Sequence, residues 1–191
     1  MATAQAIGFV AFAGLLVVLT VVALVGIGIV RLESPLGVLR DGLQVGERVP
    51  RWALRDVDGV ERRSPSGRWQ LLVFADHSLR EFSGFADALN RLQDSNPELE
   101  IVLISRGHPD LTDYILRKVL DLRVPIVQVG EAFYRRFDVR VMPFLYFVDP
   151  GGVIRAPAIV NQEGTLLRMW QLAQARAAEA GTAAGASTVA A

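Results

Sequence analysis

The chain has 191 residues, enough for one ordinary domain and an attached segment. Its 20 basic and 20 acidic side chains cancel, and the basic ones are scattered, so no basic stripe is available to follow a nucleic-acid backbone. The chain contains no cysteine, which excludes disulfides, thiolate nucleophiles and thiolate metal sites. Nucleic acid is therefore not an expected partner, and the protein has no thiol chemistry of its own.

The N-terminal region predicts a membrane anchor. Residues 1–5 form a short tail, and residues 6–30 carry no charged side chain. A helix of about 20 apolar residues crosses the hydrocarbon core of a bilayer, so residues 6–30 are predicted to be a transmembrane helix. A cleaved signal peptide is disfavoured, because the tail has no Lys or Arg and the apolar run exceeds the roughly 7–15 residues of such peptides. We expect a single-pass protein of the cell membrane, with residues 31–44 as a juxtamembrane connector.

The remaining sequence predicts one α/β domain over residues 45–178 and a flexible tail over residues 179–191. A β-hairpin is expected around Asp58 and Gly59, because Asp-Gly favours a tight turn. Alternating strands and helices that end in a hairpin predict a central mixed sheet with helices on both faces. The predicted strands are 71–74, 101–105, 124–129, 144–148 and 153–160, and the predicted helices are 79–92, 110–120, 130–137 and 163–180.

Two motifs carry most of the information about function. Residues 71–85 read LLVFADHSLREFSGF, which is an apolar strand, a polar turn and the start of an amphipathic helix. Residues 141–152 read VMPFLYFVDPGG, in which a proline precedes a buried strand and a tight turn. Supporting pieces are GLQVGERVP at 42–50 and FDVRVMP at 137–143.

This arrangement resembles the thioredoxin superfamily, in particular its membrane-anchored TlpA-like and methylamine-utilisation (MauD-type) branch. In that family the turn carries Cys-x-x-Cys, and a cis-proline faces it. The two cysteine positions fall here on Ser78 and Glu81, and the resemblance implies a cis peptide before Pro143. It also implies that the domain lies outside the cytoplasm, although Arg31, Arg40 and Arg48 after the apolar run would by themselves favour the cytoplasmic side.

The missing cysteines decide what the resemblance implies about activity. A thiolate is both nucleophile and leaving group in disulfide exchange, and neither Ser78 nor Glu81 can replace it. No catalytic residue, cofactor or metal site is therefore assigned. The leading hypothesis is a redox-inactive accessory subunit that binds a protein during maturation or assembly of a membrane-associated or extracytoplasmic electron-transfer complex. The candidate partner groove surrounds Pro143 and consists of Arg80, Phe82, Met142 and Phe144.

Two alternatives stay open at this point. The domain could be an enzyme or co-oxidoreductase that uses a non-thiol activity, or thiols of a partner, at the groove between Ser78 and Pro143. It could also be a purely structural subunit of a larger membrane complex. Convergent polar groups beside Pro143 would favour the enzyme, and a large apolar surface patch would favour the structural subunit.

The remaining polar residues have ordinary structural interpretations. Residues 76–78 (Asp-His-Ser) do not predict a catalytic triad, because consecutive side chains diverge. Ser78 and Glu81 fit a helix capping box instead. His108 has no second histidine near it in the sequence, so no transition-metal site is predicted. Arg135 and Arg136 are interpreted as a solvated helix face.

Overall fold

The computed structural model describes residues 42–75, 82–159 and 163–189, which belong to the unit Asp41–Ala191. The predicted transmembrane helix at 6–30, the tail before it and nearly all of the connector lie outside the described residues. Within the described ranges, no helix is both long enough and apolar enough to cross a bilayer. The membrane anchor therefore stays a prediction from sequence.

The described elements follow the predicted order along the chain, and the predicted hairpin around Asp58 is formed by two short strands. The buried apolar runs became strands, and the segments with apolar residues every three or four positions became helices. In chain order the elements are β1 (Trp52–Arg55), β2 (Glu61–Ser64), β3 (Trp69–Phe74), α1 (Phe82–Ser95), β4 (Leu99–Ser105), α2 (Pro109–Asp113, continued by a π-helical turn Tyr114–Val119), β5 (Ile126–Gln128), α3 (Glu131–Arg136), β6 (Phe144–Val148), β7 (Ile154–Ile159) and α4 (Glu163–Val189).

Five strands form one mixed sheet in the order β5-β4-β3-β6-β7. Strands β3, β4 and β5 are parallel, whereas β6 is antiparallel to β3 and β7 is antiparallel to β6. In the central register, Leu72 of β3 lies between Val102 of β4 and Tyr146 of β6. Strands β1 and β2 form a separate antiparallel hairpin, so both the mixed sheet and the hairpin around Asp58 are confirmed.

One face of the sheet packs against helices α1 and α4. Alternate strand residues such as Val73 and Phe147 point to this side, because successive side chains of a strand project to opposite faces. Trp170 of α4 is buried there and stacks on Phe147, with ring centroids 5.8 Å apart. Leu89 of α1 is fully buried in the same cluster. This apolar layer fixes both helices on the sheet.

The opposite face is aromatic and packs against α3. Phe74 at the end of β3 contacts the rings of Tyr134, Phe137 and Tyr146, at centroid distances of 5.2, 5.0 and 5.8 Å. The Tyr134 hydroxyl donates a hydrogen bond of 2.8 Å to the Ile104 carbonyl at the end of β4. Helix α3 is thereby held against the carboxyl ends of the two central parallel strands.

The segment that enters the domain, residues 46–57 (the entry segment), pairs with both outer strands of the sheet. At one edge the Gly46 N–H donates to the Ile154 carbonyl of β7, at 2.9 Å. At the other edge the Val57 N–H donates to the Ile126 carbonyl of β5, also at 2.9 Å. Between these points Trp52 packs edge-on against Phe133 of α3, with centroids 5.9 Å apart. The entry segment therefore reaches from one edge of the sheet to the other by way of its aromatic face.

Two element boundaries differ from the prediction. Helix α4 was expected to end near Ala180, with a flexible tail over residues 179–191, but it continues to Val189. The added residues 181–189 contain three alanines and no proline, so the helix is not interrupted, although Gly181 and Gly185 are poor helix formers. In α2 the Leu120 N–H bonds to the Ile115 carbonyl, five residues back, so the helix ends in a π-helical turn that apolar spacing did not predict.

The hairpin is organised by a buried carboxylate, that of Asp56. One oxygen accepts backbone hydrogen bonds from Asp58 (3.0 Å) and Val60 (2.8 Å), and the other accepts a bond from the Arg62 Nε (2.8 Å). Burial alone would raise the pKa of Asp56. The bonds from Arg62, Val60 and Asp58 outweigh it, and they hold the pKa below its usual value.

Asp56→Asn is expected to lower the free energy of unfolding by about 1–3 kcal/mol near pH 7, because a carboxylate with three donors is replaced by an amide. A lowered folded-state pKa means that the ionised form stabilises the fold above the unfolded-state pKa. The difference from wild type should therefore shrink as the pH falls from about 5 to about 2. Urea unfolding of the full chain at several pH values measures this, with Glu98→Gln, an exposed carboxylate, as control. A difference that does not change with pH would contradict the assignment.

Candidate functional site

The candidate site lies at the end of the sheet where the central strand β3 ends and its neighbour β6 begins. Because these strands are antiparallel, Phe74 at the end of β3 pairs with Phe144 at the start of β6. The backbone of Ala75 and that of Pro143 therefore leave the sheet side by side. Residues 76–81, which include the predicted degenerate positions Ser78 and Glu81, lie outside the described residues.

The described part of the predicted groove is the segment before β6. The peptide bond between Met142 and Pro143 is cis, as the resemblance implied. Met142 and Pro143 are half-buried, and Val141 is 41% exposed. Arg80 lies outside the described residues, and Phe82 is described only as the first residue of α1. Val141 is an addition to the predicted groove, and its position two residues before Pro143 was the available signal.

Phe144 does not belong to the groove, which corrects the prediction. Its side chain is fully buried, and its ring packs on Tyr146 with centroids 4.9 Å apart. The reason is strand alternation, since residues 144 and 146 point to the same face of β6, the aromatic face of the sheet. A partner cannot reach Phe144 while this packing holds.

Gly42 packs directly against the ring of Phe144. The residue has a φ of +88°, a conformation that glycine adopts readily. A Cβ atom added to it would lie 2.5 Å from Cζ of Phe144 and 2.5 Å from the hydroxyl of Tyr146. Only glycine fits this position, so the start of the domain is packed directly over the first strand residues behind Pro143.

The Tyr146 hydroxyl bridges two separate loops beneath this contact. It donates a hydrogen bond of 2.7 Å to the Phe137 carbonyl and accepts one of 2.8 Å from the Leu43 N–H. Burial raises the pKa of Tyr146 well above the usual value for tyrosine, and the carboxylates of Asp138 and Glu47 add to this against the opposing Leu43 N–H. The hydroxyl therefore keeps its proton and holds residues 42–43 and the loop after α3 together.

The polar side chains at this end of the sheet were compared with the requirements of a metal site. No group of three or more His, Asp or Glu side chains within the described residues lies close enough to hold a metal ion. His108 is exposed, with its nearest carboxylate, Asp110, 4.0 Å away. This end of the sheet presents a half-buried apolar segment beside Pro143.

Comparison with solved structures identifies the fold. A proposed thiol:disulfide interchange protein, DsbE, of Chlorobium tepidum is 15% identical, with a TM-score of 0.62, and the match covers 70% of this chain and 98% of that one. The thioredoxin domain of a thiol-disulfide oxidoreductase of Bacteroides vulgatus is also 15% identical, with a TM-score of 0.58 and coverages of 66% and 97%. A secreted disulfide oxidoreductase of Mycobacterium tuberculosis is 16% identical, with a TM-score of 0.51 and coverages of 60% and 90%.

These similarities define a thioredoxin-like fold. No family profile matches the chain, and no curated protein matches it by sequence. At such identities the structural likeness establishes the architecture alone. The thiol chemistry named for those proteins has no counterpart in a chain without cysteine.

Proposed function

We propose that this protein is a membrane-anchored thioredoxin-like subunit that binds other proteins and carries out no thiol-disulfide exchange. Its role would be that of an accessory subunit in the maturation or assembly of a membrane-associated or extracytoplasmic electron-transfer complex. The observation that carries the proposal is a thioredoxin-like fold in a chain that contains no cysteine. Since exchange requires a thiolate, we assign binding rather than exchange to the surface beside Pro143.

The anchor and its orientation rest on the sequence. The uncharged run at 6–30 has the length and composition of a transmembrane helix. An extracytoplasmic position for the domain rests on the resemblance to the membrane-anchored branch of the superfamily. Both features would keep the domain next to membrane-bound clients.

We assign the binding surface to the end of the sheet beside Pro143. Val141 and Met142 form an apolar strip there, at the junction of the two central strands β3 and β6. Partly exposed apolar side chains next to the ends of two sheet strands can anchor a partner, because burying them removes apolar surface from water and requires little reorganisation of the protein. Phe144, in contrast, supports this strip from within the core.

Met142→Asp is expected to weaken partner association about tenfold, equivalent to about 1.4 kcal/mol, because it places a charge in an apolar contact. The measurement is quantitative recovery of crosslinked partners from native membranes that contain the tagged full chain. Val119→Asp is the matched control, since Val119 is 60% exposed and lies at the opposite end of the sheet, just before β5.

The melting temperature of each variant separates loss of binding from loss of folding. Val141→Asp serves as a second variant, because its side chain is more exposed than that of Met142 and its substitution disturbs the packing less. Unchanged recovery with folded Met142→Asp and Val141→Asp proteins would place the binding surface elsewhere.

A further inference from the structure

A surface pocket of ≈ 510 Å³ lies between the end of β4 and the loop that follows α3. It differs from the apolar strip beside Pro143, because five of its six lining residues are charged. The lining residues are Arg106, Glu131, Arg135, Asp138, Val139 and Arg140. We name this feature the arginine pocket.

Two of the three arginines are already paired inside the pocket. Arg106 forms an ion pair with Glu131. Arg140 donates to one carboxylate oxygen of Asp138 through Nε (3.1 Å) and Nη2 (2.9 Å). Arg135 is exposed, and no acidic partner for it is found within the described residues. The arginine pocket therefore carries three positive and two negative side chains, with one guanidinium left over.

The adjacent residues Arg135 and Arg136 of α3 line different pockets. The sequence predicts one solvated face for Arg135 and Arg136. Arg136 instead donates through Nη2 to the Arg51 carbonyl (2.7 Å) and lines a separate pocket next to Phe133. Consecutive helix residues are about 100° apart around the axis, which explains the division. Of these two arginines, only Arg135 lines the arginine pocket.

A capping motif organises the backbone between Arg135 and Arg140. Helix α3 ends in a Schellman motif, in which Val139 N–H bonds to the Tyr134 carbonyl and Asp138 N–H bonds to the Arg135 carbonyl, both at 3.1 Å. Asp138 occupies the left-handed position of the motif, with a φ of +50°. This turn brings Arg140 back towards Arg135, and both residues line the same pocket.

Arg106 is positioned from the other side. Its guanidinium carbon lies 5.3 Å from the centre of the Tyr134 ring, within the range of a cation–π contact. Tyr134 is itself buried and bonded to the end of β4. Guanidinium groups held in this way lose little side-chain freedom when they bind an anion.

The arginine pocket is close to the proposed binding surface beside Pro143. Arg140 lies three residues before Pro143, and Arg106 follows the end of β4, the strand next to β3. A partner segment that contacts Met142 would therefore come near the arginine pocket.

We propose that the arginine pocket binds carboxylate groups of an acidic segment of the partner protein, which deepens the proposed function and rests on it. A carboxylate can accept two parallel hydrogen bonds from the free guanidinium of Arg135. Further carboxylates of the segment can replace Glu131 as the partner of Arg106, or Asp138 as the partner of Arg140. The two internal carboxylates and the zero net charge of the chain disfavour a polyphosphate chain at the same place.

The test uses the full chain in a neutral detergent and two short fluorescent peptides, one of alternating Glu and Ser and the other of alternating Gln and Ser. Anisotropy titrations should show binding of the Glu peptide only, weakening as salt is raised. Arg135→Gln should weaken this binding about tenfold, as expected for the loss of a charge-assisted contact. Arg136→Gln, the same charge change one residue along, should have little effect.

A gain-of-binding variant complements these losses. Asp138→Asn keeps a residue that tolerates the left-handed conformation and removes the charge that competes for Arg140. It should tighten binding of the Glu peptide about threefold. Circular dichroism and melting temperature confirm that each variant is folded.

Three outcomes would overturn the proposal. They are equal losses in Arg135→Gln and Arg136→Gln, equal binding of the Gln peptide, and tighter binding of a single-stranded oligonucleotide of the same charge. Failure of the proposed function is distinguishable, because it appears as unchanged native-partner recovery by Met142→Asp while the peptide titrations behave as expected. The reverse result, normal sensitivity to Met142→Asp without peptide binding, would remove the arginine pocket alone.

Discussion

The double variant Ser78→Cys with Glu81→Cys is expected to close an intramolecular disulfide under a mild oxidant and to acquire disulfide-exchange activity. The wild-type chain should show no reduction of insulin above background, because no thiolate exists in it. In the family that the chain resembles, these two positions carry the reactive pair. A restored pair that exchanges disulfides has to supply a thiolate, since the thiolate is the reacting species.

Thiol counting before and after oxidation, together with an insulin-reduction assay, measures this result. Ser78→Cys alone is the control, since a single cysteine cannot form the intramolecular bond. A folded double variant that keeps two free thiols under oxidant would show that Ser78 and Glu81 are not the two cysteine positions. A disulfide requires Cα atoms within about 4.4–6.8 Å of each other, so the test is sensitive to the assignment.

Tyr146→Phe is expected to lower the free energy of unfolding by about 2–3 kcal/mol, because it leaves two backbone groups without their partner in a largely buried place. The groups are the Phe137 carbonyl and the Leu43 N–H, which the hydroxyl bridges at 2.7 and 2.8 Å. The ring and its contact with Phe74 stay in place, so the effect isolates the hydroxyl. Chemical unfolding of the full chain gives the magnitude.

Hydrogen exchange shows where the loss acts. The amide of Leu43 should exchange much faster in Tyr146→Phe, whereas amides in the centre of β3 should be affected only through the lower global stability. Tyr114→Phe is the control, because Tyr114 is 60% exposed and its hydroxyl has no described partner. Equal stability of Tyr146→Phe and wild type would mean that water replaces the hydroxyl at no cost.

The sequence was sufficient for the order of elements, because the strands are short apolar runs and α1 has apolar residues on one face. It was not sufficient where distant backbone groups decide the structure. The hydrogen bonds of the entry segment to Ile154 and Ile126 join residues far apart in sequence, and no local pattern reports them.

The candidate site shows the same division between local and distant information. The motif before β6 predicted the cis peptide at Pro143, since it is a local feature that the resemblance carries. It assigned Phe144 to the surface, because the face that a first strand residue presents depends on the register with β3. The sequence also did not predict that Arg135 and Arg136 lie on different surfaces, because their spatial neighbours are remote in the chain.

The entry segment also determines how the domain behaves at high concentration. Outer strands with free backbone groups can pair with the outer strands of other molecules and so begin aggregation. Here β5 is only three residues long and is covered at Val127 by Asp56, while β7 is covered near its start and contains Pro157, which has no N–H to offer. A fragment shortened past Val57 would uncover both edges at once, so a well-behaved soluble version of the domain has to begin before Gly46.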